Sequence, residues 1–253
     1  MIARHSSITR IIVAAAAGFL LVGSAPATSS MQERTFEFTY TAEVHDIPAG
    51  SKDVQIWLPY PQGDEYQRIL KAKVSSPYPS QILTAPEYGN QMVHLDVKNP
   101  TVANIAVTME FTVKRTEHFH NSFTGVSGAA TAHPDLARWL QPDHLVPLDQ
   151  RIRELSAEVT AGKTTDLDKA RAIYDYVLAN MKYDKSGTGW GNGDIYWACD
   201  AKRGNCTDFH SLFIGLARSA GIPAKFEMGF SVPPSATSGE VGGYHCWAEF
   251  YLN

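Results

Sequence analysis

The stretch Arg203–Phe226, RGNCTDFHSLFIGLARSAGIPAKF, constrains this chain more than any other, because it reads as a helix with a cysteine on its first turn. Asn205 is an N-cap residue type, and Asp208, three positions on, sets negative charge against the positive end of the helix dipole. Apolar residues recur at Phe209, Leu212, Phe213, Leu216, Ala217 and Ala220, the spacing of a helix with one buried face. Gly221 ends it, Ile222 supplies the apolar contact that follows a left-handed glycine cap, and Pro223 prevents a restart. Cys206 therefore falls where unpaired backbone N–H groups and the dipole stabilise negative charge, which is a nucleophile's position.

The 253 residues allow one or two domains with real cores. Met1–Ala27 reads as a secretory signal: Arg4 and Arg10 give a basic start, Ile11–Gly23 is apolar, and Ala25-Pro26-Ala27 suits cleavage after Ala27. The run is short for a spanning helix, and no other segment approaches the roughly 20 apolar residues one needs, so no membrane span is expected after cleavage. Removing Arg4 and Arg10 would leave 20 basic against 26 acidic side chains, a formal charge of −6. With no basic stripe to neutralise phosphates, nucleic acid is disfavoured as a partner.

Three cysteines leave at least one unpaired within the molecule. Cys206 is the expected free thiol. Cys199 and Cys246 either form a disulfide in an oxidising compartment or are both free and buried.

Downstream of the signal, residues alternate as in strands. Phe36, Phe38, Tyr40, Ala42 and Val44 share one face, followed by Val54, Ile56 and Leu58, then Val93, Leu95 and Val97, then Ile105, Val107, Met109, Phe111 and Val113. Proline-rich turns separate these runs. An antiparallel β-sandwich over residues 28–120 is expected, with no acid cluster, metal spacing or phosphate loop in it. His118 and His120 near its end lack a third ligand at a familiar spacing and read as surface histidines. Residues 121–148 form a connector with a short helix around Asp135–Leu140.

Helices follow over 149–253. Asp149–Ala161 carries Ile152, Leu155 and Val159 at helical spacing, and Thr165 or Asp166 caps a second helix whose stripe comprises Leu167, Ala170, Ile173, Tyr174, Val177, Leu178 and Met181. The stripe reads as core. Lys185–Asp194, KSGTGWGNGD, matches neither glycine-rich phosphate motif, and no strand is expected before it. It reads as a loop toward Cys206, with Trp190 available to cover a cleft.

After the cysteine helix, Ala224, Phe226, Met228 and Phe230 alternate with Lys225, Glu227, Gly229 and Ser231, as in a half-buried strand. A second strand over Tyr244–Leu252 puts His245, Trp247, Glu249 and Tyr251 on one face and Cys246, Ala248, Phe250 and Leu252 on the other. Cys246 thus points away from His245.

A cysteine at a helix start followed by a histidine at a strand start is the layout of papain-like thiol catalysis. Gly204-Asn205-Cys206 with the helix through Arg218, then Gly221-Ile222-Pro223-Ala224, then Gly243-Tyr244-His245-x-Trp247-x-Glu249, with Tyr183-Asp184 upstream, resemble the transglutaminase-like superfamily, particularly its exported bacterial members. The resemblance is strong over Thr165–Asn253 and less specific in the sandwich. It implies an α+β papain-like core, a Cys-His-Asp triad with Cys206 as nucleophile and His245 as base, no cofactor, and a protein or peptide substrate. The triad aspartate of the family lies on the strand after the histidine strand, beyond Asn253, so the sequence reads as a fragment lacking its third member. Glu249 lies about 13 Å along the strand from His245 and is no easy substitute.

The expected chemistry is acyl transfer through a Cys206 thioester at a glutamine amide or a peptide bond, with the Cys206 N–H as one oxyanion donor and Trp190 as the candidate for another. The alternatives are a weakened or inactive peptide-binding module and, less favoured, a metal site at Cys199, Cys206, His210 and His245, whose Cys-x6-Cys-x3-His spacing is not a standard zinc pattern.

Overall fold

The computed structural model describes residues 6–12, 31–119, 134–233 and 237–252, the backbone alone for 6–12. The chain divides into two compact units: one runs to Phe119 and takes in Val232–Gly243, the other holds the chain up to Ser231 and resumes at Tyr244. The connector before Pro134, together with His120, lies outside the described residues.

The first unit is all strand. β1 (Ser6–Ile12), β2 (Glu33–Val44), β3 (Asp53–Pro59), β4 (Gln67–Ser75), β5 (Gln81–Thr84), β6 (Gln91–Lys98) and β7 (Ile105–Thr116) are joined by a short strand, Ser238–Glu240, which is β11 in chain order. They form two antiparallel sheets, β11-β1-β2-β7-β4 and β3-β6-β5. Period-two alternation is the reason: Ile105, Val107, Met109, Phe111 and Val113 are buried on one face of β7, and Ile56, Leu58, Val93, Leu95 and Val97 on one face of β3-β6. Strands β4 and β5 escape the sequence reading because they are largely exposed edges, with Lys71 and Lys73 on β4 and every residue of β5 open to solvent.

In the second unit a 3-10 helix, Pro134–Leu140, precedes α1 (Gln150–Val159), α2 (Asp166–Asn180), α3 (Ile195–Ala201) and α4 (Cys206–Ser219). Asp149 caps α1, accepting from Ile152 N, and Thr165 caps α2, accepting from Asp168 N. Helix α4 is central and touches the other three helices and both long strands of the unit. Its core neighbours are Ile152, Ala170, Ile173, Val177, Ile195 and Ala198. The α2 stripe is narrower than expected: Tyr174 and Leu178 are exposed, because α4 covers only the Ala170, Ile173 and Val177 side.

Two strands of two residues, β8 (Lys182–Tyr183) and β9 (Arg203–Gly204), pair in parallel. A strand does therefore precede the glycine-rich loop, contrary to the sequence reading; two residues are too few to show a period. β10 (Ala224–Gly229) and β12 (His245–Phe250) form an antiparallel ribbon from Ala224 opposite Phe250 to Gly229 opposite His245. The expected burial of β10 fails beyond Ala224. Phe226 and Met228 are exposed, while Lys225 is half-buried over the Trp139 ring and paired with Glu227 and Glu249. Opposite Ala248 and Cys246 in register, Phe226 and Met228 lie on the ribbon face that meets α4, yet the helix leaves them open, while the Lys225 stem covers apolar surface on the other face.

Candidate active site

The site is built on the first turn of α4. Asn205 accepts from Thr207 N at 2.9 Å, and Asp208 accepts from Asn205 N at 2.9 Å, a reciprocal capping box. Cys206 is the first helical residue, half-buried, and its N–H is one of those that no helical carbonyl can reach. At the other end Gly221, at φ +84°, lets Ile222 N reach Ala217 O and its own N–H reach Arg218 O, the Schellman pattern. Arg218 then donates to Ala224 O, Gln141 O and Asp143, which ties down the C-terminal end of the helix.

Asp208 does more than cap. It is fully buried, and besides Asn205 N it takes Gly191 N at 2.7 Å and Gly193 N at 3.3 Å. The glycine-rich loop thus turns its amides onto a carboxylate of the cysteine helix, which leaves no cradle for phosphate. Trp190 sits in that loop half-buried, its indole N–H donating to Gly187 O at 3.0 Å and its ring facing the Lys185 ammonium. The loop closes on α3 as well: the Trp197 ring lies against Gly189, and Trp197 Nε1 donates to Arg203 O.

Strand alternation on β12 holds. Cys246 and Ala248 face α4, as does Phe250, whose ring is 5.5 Å from that of Phe213. The Cys246 thiol meets Cys206 and the Thr207 hydroxyl, and burial first, then its bond to Cys206 and the Cys206 charge, push it up to about 12. Burial, and after it the same two sulfurs, raise the Tyr244 phenol. His245 is exposed on the opposite face, across from Gly229, with Trp247 donating to Glu249 at 3.3 Å further along that face. Among the described residues His245 has no hydrogen-bond or ion-pair partner. The structure therefore brings Cys206 to Cys246 and leaves His245 one residue away with its ring turned out.

Cys199 is also a free thiol, packed on the core in α3 and raised by burial, so Cys199 and Cys246 are not joined. His210, one turn after Cys206, has its pKa lowered by burial; its Nδ1 is buried without a partner and its ring meets Phe226 edge-on. No three His, Cys, Asp or Glu side chains gather for a metal ion among the described residues, so the four residues weighed as ligands do not form one site. A cavity of about 290 Å³ is lined by Leu136, Trp139, Lys225, Glu249 and Tyr251. It lies by the Ala224–Phe250 pair, the other end of the ribbon from His245, about 17 Å away along the strands.

Sequence reasoning missed the loop contacts of Asp208 and the meeting of Cys206 with Cys246. The first had a signal in glycines at 187, 189, 191 and 193, each at positive φ; the second had none, because alternation separates faces without saying which one meets a helix.

A cysteine opening a capped helix, packed on an antiparallel ribbon and preceded by a sandwich, defines the papain-like class of α+β fold. Residues 153–253 match the model of the transglutaminase-like superfamily. An uncharacterised protein of Haemophilus influenzae is 27% identical over 248 residues, which is 86% of this chain and 65% of that protein, so the chain spans just under two thirds of its relative. The uncharacterised YebA of Bacillus subtilis is 29% identical over 130 residues, 46% of this chain and 17% of its own length. Among solved structures, a candidate cysteine protease of Cytophaga hutchinsonii superposes with a TM-score of 0.62 at 18% identity, covering 98% of this chain and 71% of that one, a likeness of fold.

Proposed function

We infer that this chain is an exported thiol-dependent acyltransferase or peptidase, with Cys206 as the nucleophile and a protein or peptide as the acyl donor. The observation that carries the reading is Cys206 at the first position of a helix whose start is locked by Asn205 and Asp208. The thiolate attacks a glutamine amide or peptide carbonyl, the oxyanion faces the unpaired Cys206 N–H, and a thioester forms as the amine leaves. Water or a second amine then takes the acyl group. His245 is the proposed proton carrier. From its position on β12 this requires the side chain at the strand start to turn toward α4. Export rests on the Met1–Ala27 pattern, and no helix among the described residues is long and apolar enough to cross a membrane.

The test is mass spectrometry of the whole chain after incubation with a glutamine peptide and a primary amine, quenched in acid. An acyl adduct mapped to Cys206, absent in Cys206→Ala and lost or strongly slowed in His245→Ala, is expected. An adduct on another residue, or full adduct formation in Cys206→Ala, overturns the assignment. The outward His245 favours one second reading, a peptide-binding module without turnover. Equal peptide affinity in the wild type and Cys206→Ala, with no adduct in either, would select it.

A further inference from the structure

The outer face of the β3-β6-β5 sheet carries a side-chain network that the cysteine site does not use. Register sets Asp53, Gln55, Trp57 and Pro59 of β3 opposite Lys98, Asp96, His94 and Met92 of β6, and Gln81 and Leu83 of β5 opposite His94 and Met92. Strand alternation turns them away from the buried Ile56, Leu58, Val93, Leu95 and Val97. The polar members are tied to one another. Gln81 Nε2 donates to His94 Nδ1 at 3.1 Å, His94 Nε2 donates to Gln55 Oε1 at 2.6 Å, and Gln55 Nε2 donates to Asp53 at 2.7 Å and to Asp96. Lys98 closes the chain on Asp96 at 2.8 Å and Asp53 at 3.1 Å. The imidazole is thus held at both nitrogens.

Trp57 stands against it. Its ring stacks on His94 with centroids 5.1 Å apart and planes at 24°. It is nevertheless 55% exposed, so the far face of the indole is open, and its N–H has no partner among the described residues. An indole left in water but held from behind loses little freedom when a ligand settles on it.

We propose that this face is a carbohydrate-binding site, with Trp57 as the platform under a neutral pyranose ring. A pyranose has a flat C–H face, which the electron-rich indole face attracts, and a rim of hydroxyls that both donate and accept. The sheet offers both halves. Trp57 lies where the apolar Pro59, Met92 and Leu83 meet the polar network, with its own N–H as a donor and Gln81 Oε1 as an acceptor. Charge complementarity points the same way. Asp53 and Asp96 against Lys98 leave one formal negative charge on the three strands, already in ion pairs, which suits a neutral ligand and repels a phosphate polymer. A protein partner is served less well. The apolar part of the face is one indole beside smaller side chains, of which Leu83 is only 36% exposed, short of the apolar centre of a stable interface.

The full chain is applied to an array of neutral α- and β-linked hexose and N-acetylhexosamine oligomers, with heparin and polylysine beside them. The strongest neutral binder is then titrated by calorimetry. Saturable binding to at least one neutral oligomer is expected, weakened about ten-fold or more in Trp57→Ala, partly kept in Trp57→Phe and weakened in Gln81→Ala. Trp57→Ala leaves the buried Ile56 and Leu58 in place, so its unfolding midpoint should stay near that of the wild type, and lost binding then reports the platform. No binding to any neutral oligomer, binding undiminished in both alanine variants, or binding to the charged polymers alone overturns the site. A Trp57-dependent dimer in sedimentation equilibrium, with no sugar bound, assigns the face to a second copy and overturns it as well. None of these outcomes bears on the Cys206 adduct, so the two readings fail separately.

Discussion

Asp208 concentrates the local constraints of the site into one carboxylate. It accepts from Asn205, Gly191 and Gly193, and a Cβ added at Gly204 would collide with Asp208 Oδ2, so the backbone on each side is fitted to it. Asp208→Ala strands three N–H groups, two of them in the glycine-rich loop. At about 1–3 kcal/mol for each buried unsatisfied group, less what water recovers in the opened loop, a loss of about 3 kcal/mol in a urea titration is expected. Cys206 should also alkylate at a changed rate, since the loop beside it comes loose. An unchanged unfolding midpoint would show that the loop is held by other contacts. The cap half of this arrangement was legible in the sequence, since Asn205 and Asp208 stand three apart before an apolar period. The loop half was not, because hydrogen bonds across 15 and 17 residues leave no periodic trace.

At the scale of elements, α4 could be read from its sequence to within a residue, start and stop included, because cap, period and Gly221-Ile222-Pro223 all agree. Helix α3 could not: seven residues hold too few turns to show a period, and it is defined by what it touches. It packs tightly at Gly215 of α4, where an added Cβ would collide with Ile195 Cδ1 and lie 3.0 Å from Val146 Cγ1, both in the buried core. Gly215→Ala should therefore destabilise the chain by up to about 2 kcal/mol, overpacking of about 1–3 set against the roughly 1 kcal/mol that alanine adds to a helix. Combining it with Ile195→Val, which removes the obstructing methyl, should recover most of the loss. A Gly215→Ala chain more stable than wild type in denaturant titration would mean that the helices separate without cost. β10 teaches the opposite lesson to α4. Its alternation was correct as geometry and misleading as burial, because α4 meets this face of the ribbon without covering Phe226 or Met228.

At the scale of the whole molecule, the chain divides its elements in a way that order along the sequence does not predict. Val232–Gly243 belongs with the strand unit although β10 and β12 on either side of it belong with the helices, and Arg34 Nη1 on β2 holds Pro233 O at 2.7 Å. Its strand β11 pairs with β1, from Arg10 opposite Glu240 to Ile12 opposite Ser238. Ser6–Ile12 falls inside the stretch whose basic start, apolar run and Ala25-Pro26-Ala27 read as a removable leader. The two assignments make different demands. A leader cut after Ala27 takes β1 away, and β2 then keeps only its register with β7, Glu33 opposite Thr116 through Val44 opposite Ile105. That register spans the whole of β2, so the strand does not need β1 to stay in the sheet, whereas β11 loses the neighbour that names it a strand. The expectation is that protein recovered from an exporting bacterial host begins at Thr28, read by intact mass and N-terminal sequencing, with the β2–β7 amides still slow to exchange. Recovery beginning at Met1 would sink the leader and make Ser6–Ile12 a permanent strand of the sheet.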